Sequence, residues 1–164
     1  MLYSIWIIPP EPLYTELKKT VAELATAYNG PMFEPHLTLL GNIDEDLSVI
    51  EQKVKDLTIN MKGLELSLGP VSYSTTFFQS VFVRVNSSAQ LMQLNLDAKK
   101  VFGMENDVFM PHISLLYGDH DSATREAAAA QVQLPQASFA VNEFVITPAT
   151  LNPNEWEHTA TISW

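Results

Sequence analysis

Two short segments of this chain repeat each other, and both have the makings of a strand. They are Glu34-Pro35-His36-Leu37-Thr38-Leu39-Leu40-Gly41 and Met110-Pro111-His112-Ile113-Ser114-Leu115-Leu116-Tyr117-Gly118. Each sets a histidine and a hydroxyl two residues apart in an apolar run, after a proline and shortly before a glycine. Side chains alternate between the faces of a strand, so positions i and i+2 point the same way. His36 with Thr38, and His112 with Ser114, therefore share a face, while Leu37, Leu39, Ile113 and Leu115 turn to a core. Two such strands facing each other make a pocket with two imidazoles and two hydroxyls. That set can move protons around a phosphate.

The rest of the chain is organised around this repeat. Residues 2–8 read as a strand, and residues 11–28 as a helix with Leu13, Leu17, Val21, Leu24 and Tyr28 on one stripe. Asn29-Gly30-Pro31 ends that helix. The first histidine strand, 34–41, precedes a helix that Asp44 can cap and that carries Leu47, Ile50, Val54 and Leu57. Strands follow at 64–72 and 76–85, the second rich in aromatic and β-branched residues. The second half echoes the first. A helix opened by Ser87 or Ser88 runs to about Gly103, and the second histidine strand covers 110–117. A helix capped by Asp121 extends to about Val132, and closing strands lie at 139–148 and 155–164. This pattern predicts one α+β domain over 1–164, made of two lobes related by a pseudo-twofold axis. Antiparallel sheets line a central cleft, and helices cover their outer faces.

Composition excludes several classes. No run of 18 apolar residues exists, so no membrane span is expected. Zero cysteines remove disulfides, thiol nucleophiles and thiolate metal ligands, and fit a cytoplasmic protein. Nine Lys and Arg against 19 Asp and Glu, a net charge of −10, argue against a long nucleic acid but not against a small phosphate ester in a local pocket. A monomer is expected. For each histidine taken alone, half-burial with a hydrogen bond to nearby backbone is a sufficient reading. Two matched segments in matching positions favour catalysis. A metal centre is disfavoured, because the chain has no Cys, no HExxH and only two histidines in such settings. No cofactor is called for.

At these residues the chain resembles the 2H phosphoesterases, and within them the plant and yeast type of cyclic phosphodiesterase. The likeness extends to Tyr3-Ser4-Ile5-Trp6, Gly30-Pro31-Met32-Phe33, Ser74 to Phe82, the tyrosine of the second motif, and Glu155-Trp156-Glu157. The resemblance implies two lobes around a cleft and metal-independent hydrolysis of small cyclic phosphates. The implied substrates are ADP-ribose 1″,2″-cyclic phosphate and nucleoside 2′,3′-cyclic phosphates, opened to the monophosphate. An RNA-end-processing relative, acting as a 2′-5′ RNA ligase or phosphodiesterase, and a non-catalytic nucleotide-binding module are the alternatives.

Ring opening needs a base on one side of phosphorus and an acid on the other. Histidine suits both near neutrality. His112 is taken as base and His36 as acid, with Thr38 and Ser114 donating to the non-bridging oxygens. Tyr117 lies three residues past Ser114, so alternation turns it away unless a bulge or the turn at Gly118 intervenes. Its place in phosphate binding rests on the resemblance. Trp6 is a candidate to stack on a nucleobase or to pack in the core. Phe77 and Gln79 are further candidates for base or ribose contacts, on one face of the aromatic strand. His158 is assigned to a closing strand with no catalytic part.

Overall fold

A computed structural model describes all 164 residues. Its strands are β1 (Tyr3–Ile7), β2 (Leu37–Ile43), β3 (Leu64–Tyr73), β4 (Val81–Val85), β5 (His112–Leu116), β6 (Ser138–Val141), β7 (Glu143–Pro148) and β8 (Ala160–Ser163). The helices are α1 (Leu13–Tyr28), α2 (Leu47–Thr58), α3 (Ala89–Val101) and α4 (Ser122–Gln131). The expected α+β class holds, with one refinement. The strands form a single eight-stranded sheet in the order β6-β3-β4-β5-β2-β1-β7-β8, and every pairing given for it is antiparallel.

The two histidine strands are neighbours at the middle of this sheet. They do not face each other across a gap. One residue pair joins them, Leu37 with Ile113, and both are fully buried. Four strands lie on either side of this seam, and each set is a lobe. The lobes are not simple halves of the polypeptide, because β7 and β8 at the end of the chain pair beside β1. The symmetry survives in the connections. α1 links the neighbours β1 and β2 yet packs on β5, and α3 links β4 and β5 yet packs on β2. Each connecting helix thus crosses the seam, and both lobes share a core of 32 buried apolar residues.

Local signals explain several helix ends. Asn29 closes α1 at φ 55°, its N–H donating to the Ala25 carbonyl. The Ser88 hydroxyl accepts from Leu91 N at the start of α3, and the Asp121 carboxylate accepts from Thr124 N at the start of α4. Asp44 does not cap α2. The helix begins at Leu47, with Asp46 in the capping position and no side-chain cap.

The expected strand over 76–85 is shorter. Phe77–Gln79 form a 3-10 turn and only Val81–Val85 join the sheet. The closing strand is also shorter, so His158 lies before β8 rather than on it.

The bulges matter most. Between Trp6 and Ile5, one step on β1 answers two on β2, from Thr38 to Leu40. Between Phe82 and Val81, one step on β4 answers two on β5, from Ser114 to Leu116. The same extra residue therefore follows each histidine-hydroxyl pair. A bulge resets the alternation by one residue. Leu39 with Leu40, and Leu115 with Leu116, are accordingly all buried in consecutive pairs. The β2 bulge is backed by Asn95 of α3, whose Nδ2 donates to the Leu39 carbonyl at 2.8 Å in the interior.

Candidate active site

The seam opens on one face into a cleft of about 250 Å³. His36, Thr38, His112, Ser114 and Tyr117 all line it. The antiparallel pairing at Leu37 and Ile113 sets His36 across from Ser114 and Thr38 across from His112. Diagonal neighbours in such a ladder lie about 7–8 Å apart at Cα, which places the two imidazoles within reach of one small group.

The histidines are held alike. His36 Nδ1 lies 2.7 Å from the Glu34 carbonyl, and His112 Nδ1 lies 2.7 Å from the Met110 carbonyl. A carbonyl only accepts, so Nδ1 carries the proton in both rings and Nε2 is the variable site. The acceptor in each case is the residue before the motif proline, where an extended backbone is enforced. The backbone hydrogen bond of the plain structural reading is therefore present, and it leaves the outer nitrogen free for chemistry.

Their surroundings differ. Trp6 lies face to face on His36, centroids 3.6 Å apart and planes 10° from parallel. Trp156 meets the same imidazole edge-on at 5.6 Å. Burial under these rings lowers the His36 pKa from 6.5 to about 4, against the opposing pull of the Glu34 carbonyl and carboxylate. Phe82 is the register partner of Ser114, as Trp6 is of Thr38, and it meets His112 edge-on at 5.3 Å. Burial also lowers the His112 pKa, offset by its backbone hydrogen bond and reinforced by the Arg84 charge.

The hydroxyls differ too. Ser114 Oγ donates to the Phe78 carbonyl at 2.8 Å. Its proton is thus engaged in holding the 3-10 turn, and only its lone pairs are open. Thr38 makes no such bond, so its proton is available to an incoming oxygen.

Tyr117 lines the cleft because the β5 bulge adds one residue after Ser114 and reverses the parity. Its ring stacks on Phe33 at 3.8 Å, and burial raises its pKa, which keeps the phenol protonated as a donor.

The remaining candidates divide. Trp6 is 3% exposed, and its face is spent on His36; it is an imidazole support rather than a free platform for a base. Gln79 lines the cleft, and so does Phe78, while Phe77 lies outside the lining. The turn over 77–79 breaks the alternation that paired Phe77 with Gln79.

Trp156 is the residue that periodicity missed. It sits outside any strand, with Nε1 donating to the Thr150 carbonyl at 2.8 Å. Besides His36 it meets Tyr117 edge-on at 6.0 Å. A tryptophan in the polar stretch Asn152-Pro153-Asn154-Glu155 was the available signal. Asn42 also reaches the lining, from a backbone at φ 57° next to a second irregularity of β2.

The cleft lining contains no Asp, Glu, Cys, Lys or Arg. Its chemistry is that of two imidazoles, several hydroxyls and aromatic walls, which suits proton transfer around a small anionic centre.

The profile of the family described as cyclic phosphodiesterase-like protein matches residues 1–157. A cyclic phosphodiesterase of Arabidopsis thaliana is 26% identical over 151 residues, covering 88% of this chain and 83% of the plant protein. A 2′,3′-cyclic-nucleotide 3′-phosphodiesterase of Yarrowia lipolytica is 26% identical over 152 residues, covering 86% and 68%. Among solved structures, TT0787 of Thermus thermophilus has a TM-score of 0.71 at 16% identity, covering 99% of this chain and 97% of that one. E. coli LigT complexed with 3′-AMP has a TM-score of 0.65 at 18% identity, again covering 99% and 97%. At such identities these structures speak for the fold.

Proposed function

This chain belongs to the cyclic phosphodiesterase-like family of 2H phosphoesterases, and we propose that it opens ADP-ribose 1″,2″-cyclic phosphate and nucleoside 2′,3′-cyclic phosphates to the monophosphate. For a nucleoside substrate the product is the 2′-phosphate. The observation that carries this reading is the matched tethering of both histidines. With each Nδ1 proton committed to a backbone carbonyl, both Nε2 atoms are left to exchange protons with a phosphate between them.

In the proposed step, water attacks phosphorus while His112 Nε2 takes its proton. The bond from phosphorus to the 3′ oxygen breaks, and His36 Nε2–H protonates that oxygen. One water is consumed and the pair ends with its proton transferred from one ring to the other. Of the two rings, His36 is held to about 4 by burial. A protonated His36 is rare before substrate binds but a strong acid, and the negative phosphate draws a proton to it. Thr38 donates to a non-bridging oxygen, Tyr117 to the same group, and Ser114 joins by rotating its hydroxyl away from Phe78. Trp156 and Phe78 offer aromatic surface to the base.

The absence of Lys and Arg from the lining weighs for a small substrate and against a long nucleic acid. The test is phosphorus NMR of adenosine 2′,3′-cyclic phosphate with enzyme and EDTA. Conversion to the 2′-phosphate is expected. Binding without conversion would leave a nucleotide-binding module, and turnover confined to oligonucleotides would mean RNA-end processing.

The order of the histidines is tested by the leaving group. With a p-nitrophenyl diester, whose leaving oxygen needs no proton, His36→Ala is expected to lose far less than with a cyclic nucleotide. His112→Ala is expected to lose heavily with both. The reverse pattern would exchange their roles.

A further inference from the structure

Arg84 stands directly opposite His112 in the β4–β5 ladder. Cross-strand partners project from the same face of a sheet, so the arginine rises on the side that carries His112. It is exposed, and its guanidinium lies over the Phe82 ring at 5.7 Å. That ring in turn meets His112 edge-on. On the neighbouring strand stands Gly69, where a Cβ would lie 3.4 Å from the Arg84 Cβ, so that position puts no side chain against the arginine.

The charge is unspent. This protein has 19 acidic side chains, yet none of its four ion pairs involves Arg84. The other arginine, Arg125, is buried and committed to four backbone carbonyls. An acidic chain with no cation in its cleft repels a substrate bearing more than one phosphate. The exception is the rim beside His112. Guanidinium is the side chain best matched to a phosphate, through paired N–H donors.

We propose that Arg84 forms a second-phosphate subsite, holding the 5′-phosphate or diphosphate of a nucleotide whose cyclic phosphate lies between His36 and His112. The proposal rests on the reading of the cleft given above. It makes Arg84 a specificity residue: substrates that carry a diphosphate gain from it, and nucleosides bearing only the cyclic phosphate do not.

The experiment compares adenosine 2′,3′-cyclic phosphate with ADP-ribose 1″,2″-cyclic phosphate on wild type, Arg84→Lys, Arg84→Gln and Arg84→Glu. Arg84→Gln is expected to raise KM about tenfold for the diphosphate substrate and to leave the simple cyclic nucleotide within about twofold. Arg84→Glu is expected to do more, and Arg84→Lys to recover part of the loss. Equal losses on both substrates would mean that Arg84 acts through His112, and no loss on either would mean that it is a solvated surface charge. Both results overturn the proposal. A titration with ADP and with adenosine reads the subsite without turnover. Weaker ADP binding by Arg84→Glu with adenosine unchanged supports it, and identical ADP binding refutes it. A wild type that hydrolyses neither substrate would fail the cyclic phosphodiesterase reading, while the ADP titration would still decide the role of Arg84.

Discussion

Leu37 lies directly opposite Ile113 at the seam of the sheet, and each is the residue between a motif histidine and its hydroxyl. The approximate twofold relation between the lobes therefore runs through the middle of both motifs. Two fully buried aliphatic side chains on one face fix four polar side chains on the other. Packing and chemistry are opposite sides of the same pair of strands.

Support of His36 by Trp6 has a measurable consequence. Replacing Trp6 with alanine admits water to the imidazole, so the His36 pKa is expected to rise from about 4 toward 6.5. The ring also loses its orientation, and kcat is expected to fall about tenfold or more. NMR titration of the imidazole checks the first and steady-state kinetics the second. An unmoved His36 titration would show that the stacking does not control it.

The same burial ties stability to pH. His36 is depressed in the folded chain, so the unfolded chain binds the extra proton between pH 6.5 and about 4. Its contribution is fully present above pH 6.5 and is lost as pH falls through that window, amounting to roughly 3 kcal/mol. His112 acts in the same direction. Urea unfolding of wild type and His36→Gln at pH 7 and pH 4.5 isolates the term. The wild type is expected to lose more stability than the variant, and equal losses would contradict the assignment.

Thr38 and Ser114 look equivalent in sequence and are not equivalent in structure. Thr38→Val removes an uncommitted donor, and kcat is expected to fall about 10²-fold with little change in stability. Ser114→Ala also strips the Phe78 carbonyl of its donor, which is expected to cost about 1 kcal/mol and to speed amide exchange over residues 77–80. Hydrogen exchange on both variants checks this difference. Faster exchange of the turn in Thr38→Val would contradict it.

The motif strands, the four helices and the shared face of each His-hydroxyl pair were legible because they follow from periods of two and 3.6 residues and from capping residues. The bulges were not. An extra residue in a ladder leaves no mark in a run such as Leu115-Leu116, and Tyr117 reaches the cleft only through it. The expected strand over Phe77–Gln79 fails for a related reason. A β-rich composition conceals a 3-10 turn that is held by a contact distant in sequence, Ser114 to the Phe78 carbonyl. Sequence alone leaves Trp6 between a platform for a base and a core residue, because nothing in the spacing shows that its stacking partner is the His36 imidazole. The neighbours β2 and β5 could not be inferred from spacing, because their junction is a single residue pair.

The most direct test of the central claim is a double-mutant comparison of His36→Ala, His112→Ala and the pair, by single-turnover hydrolysis of a 2′,3′-cyclic nucleotide. Each single change is expected to cost a factor of about 10² or more, and the double variant little beyond the worse single. Single variants that keep near-wild-type rates would contradict the claim that both imidazoles act on one phosphate.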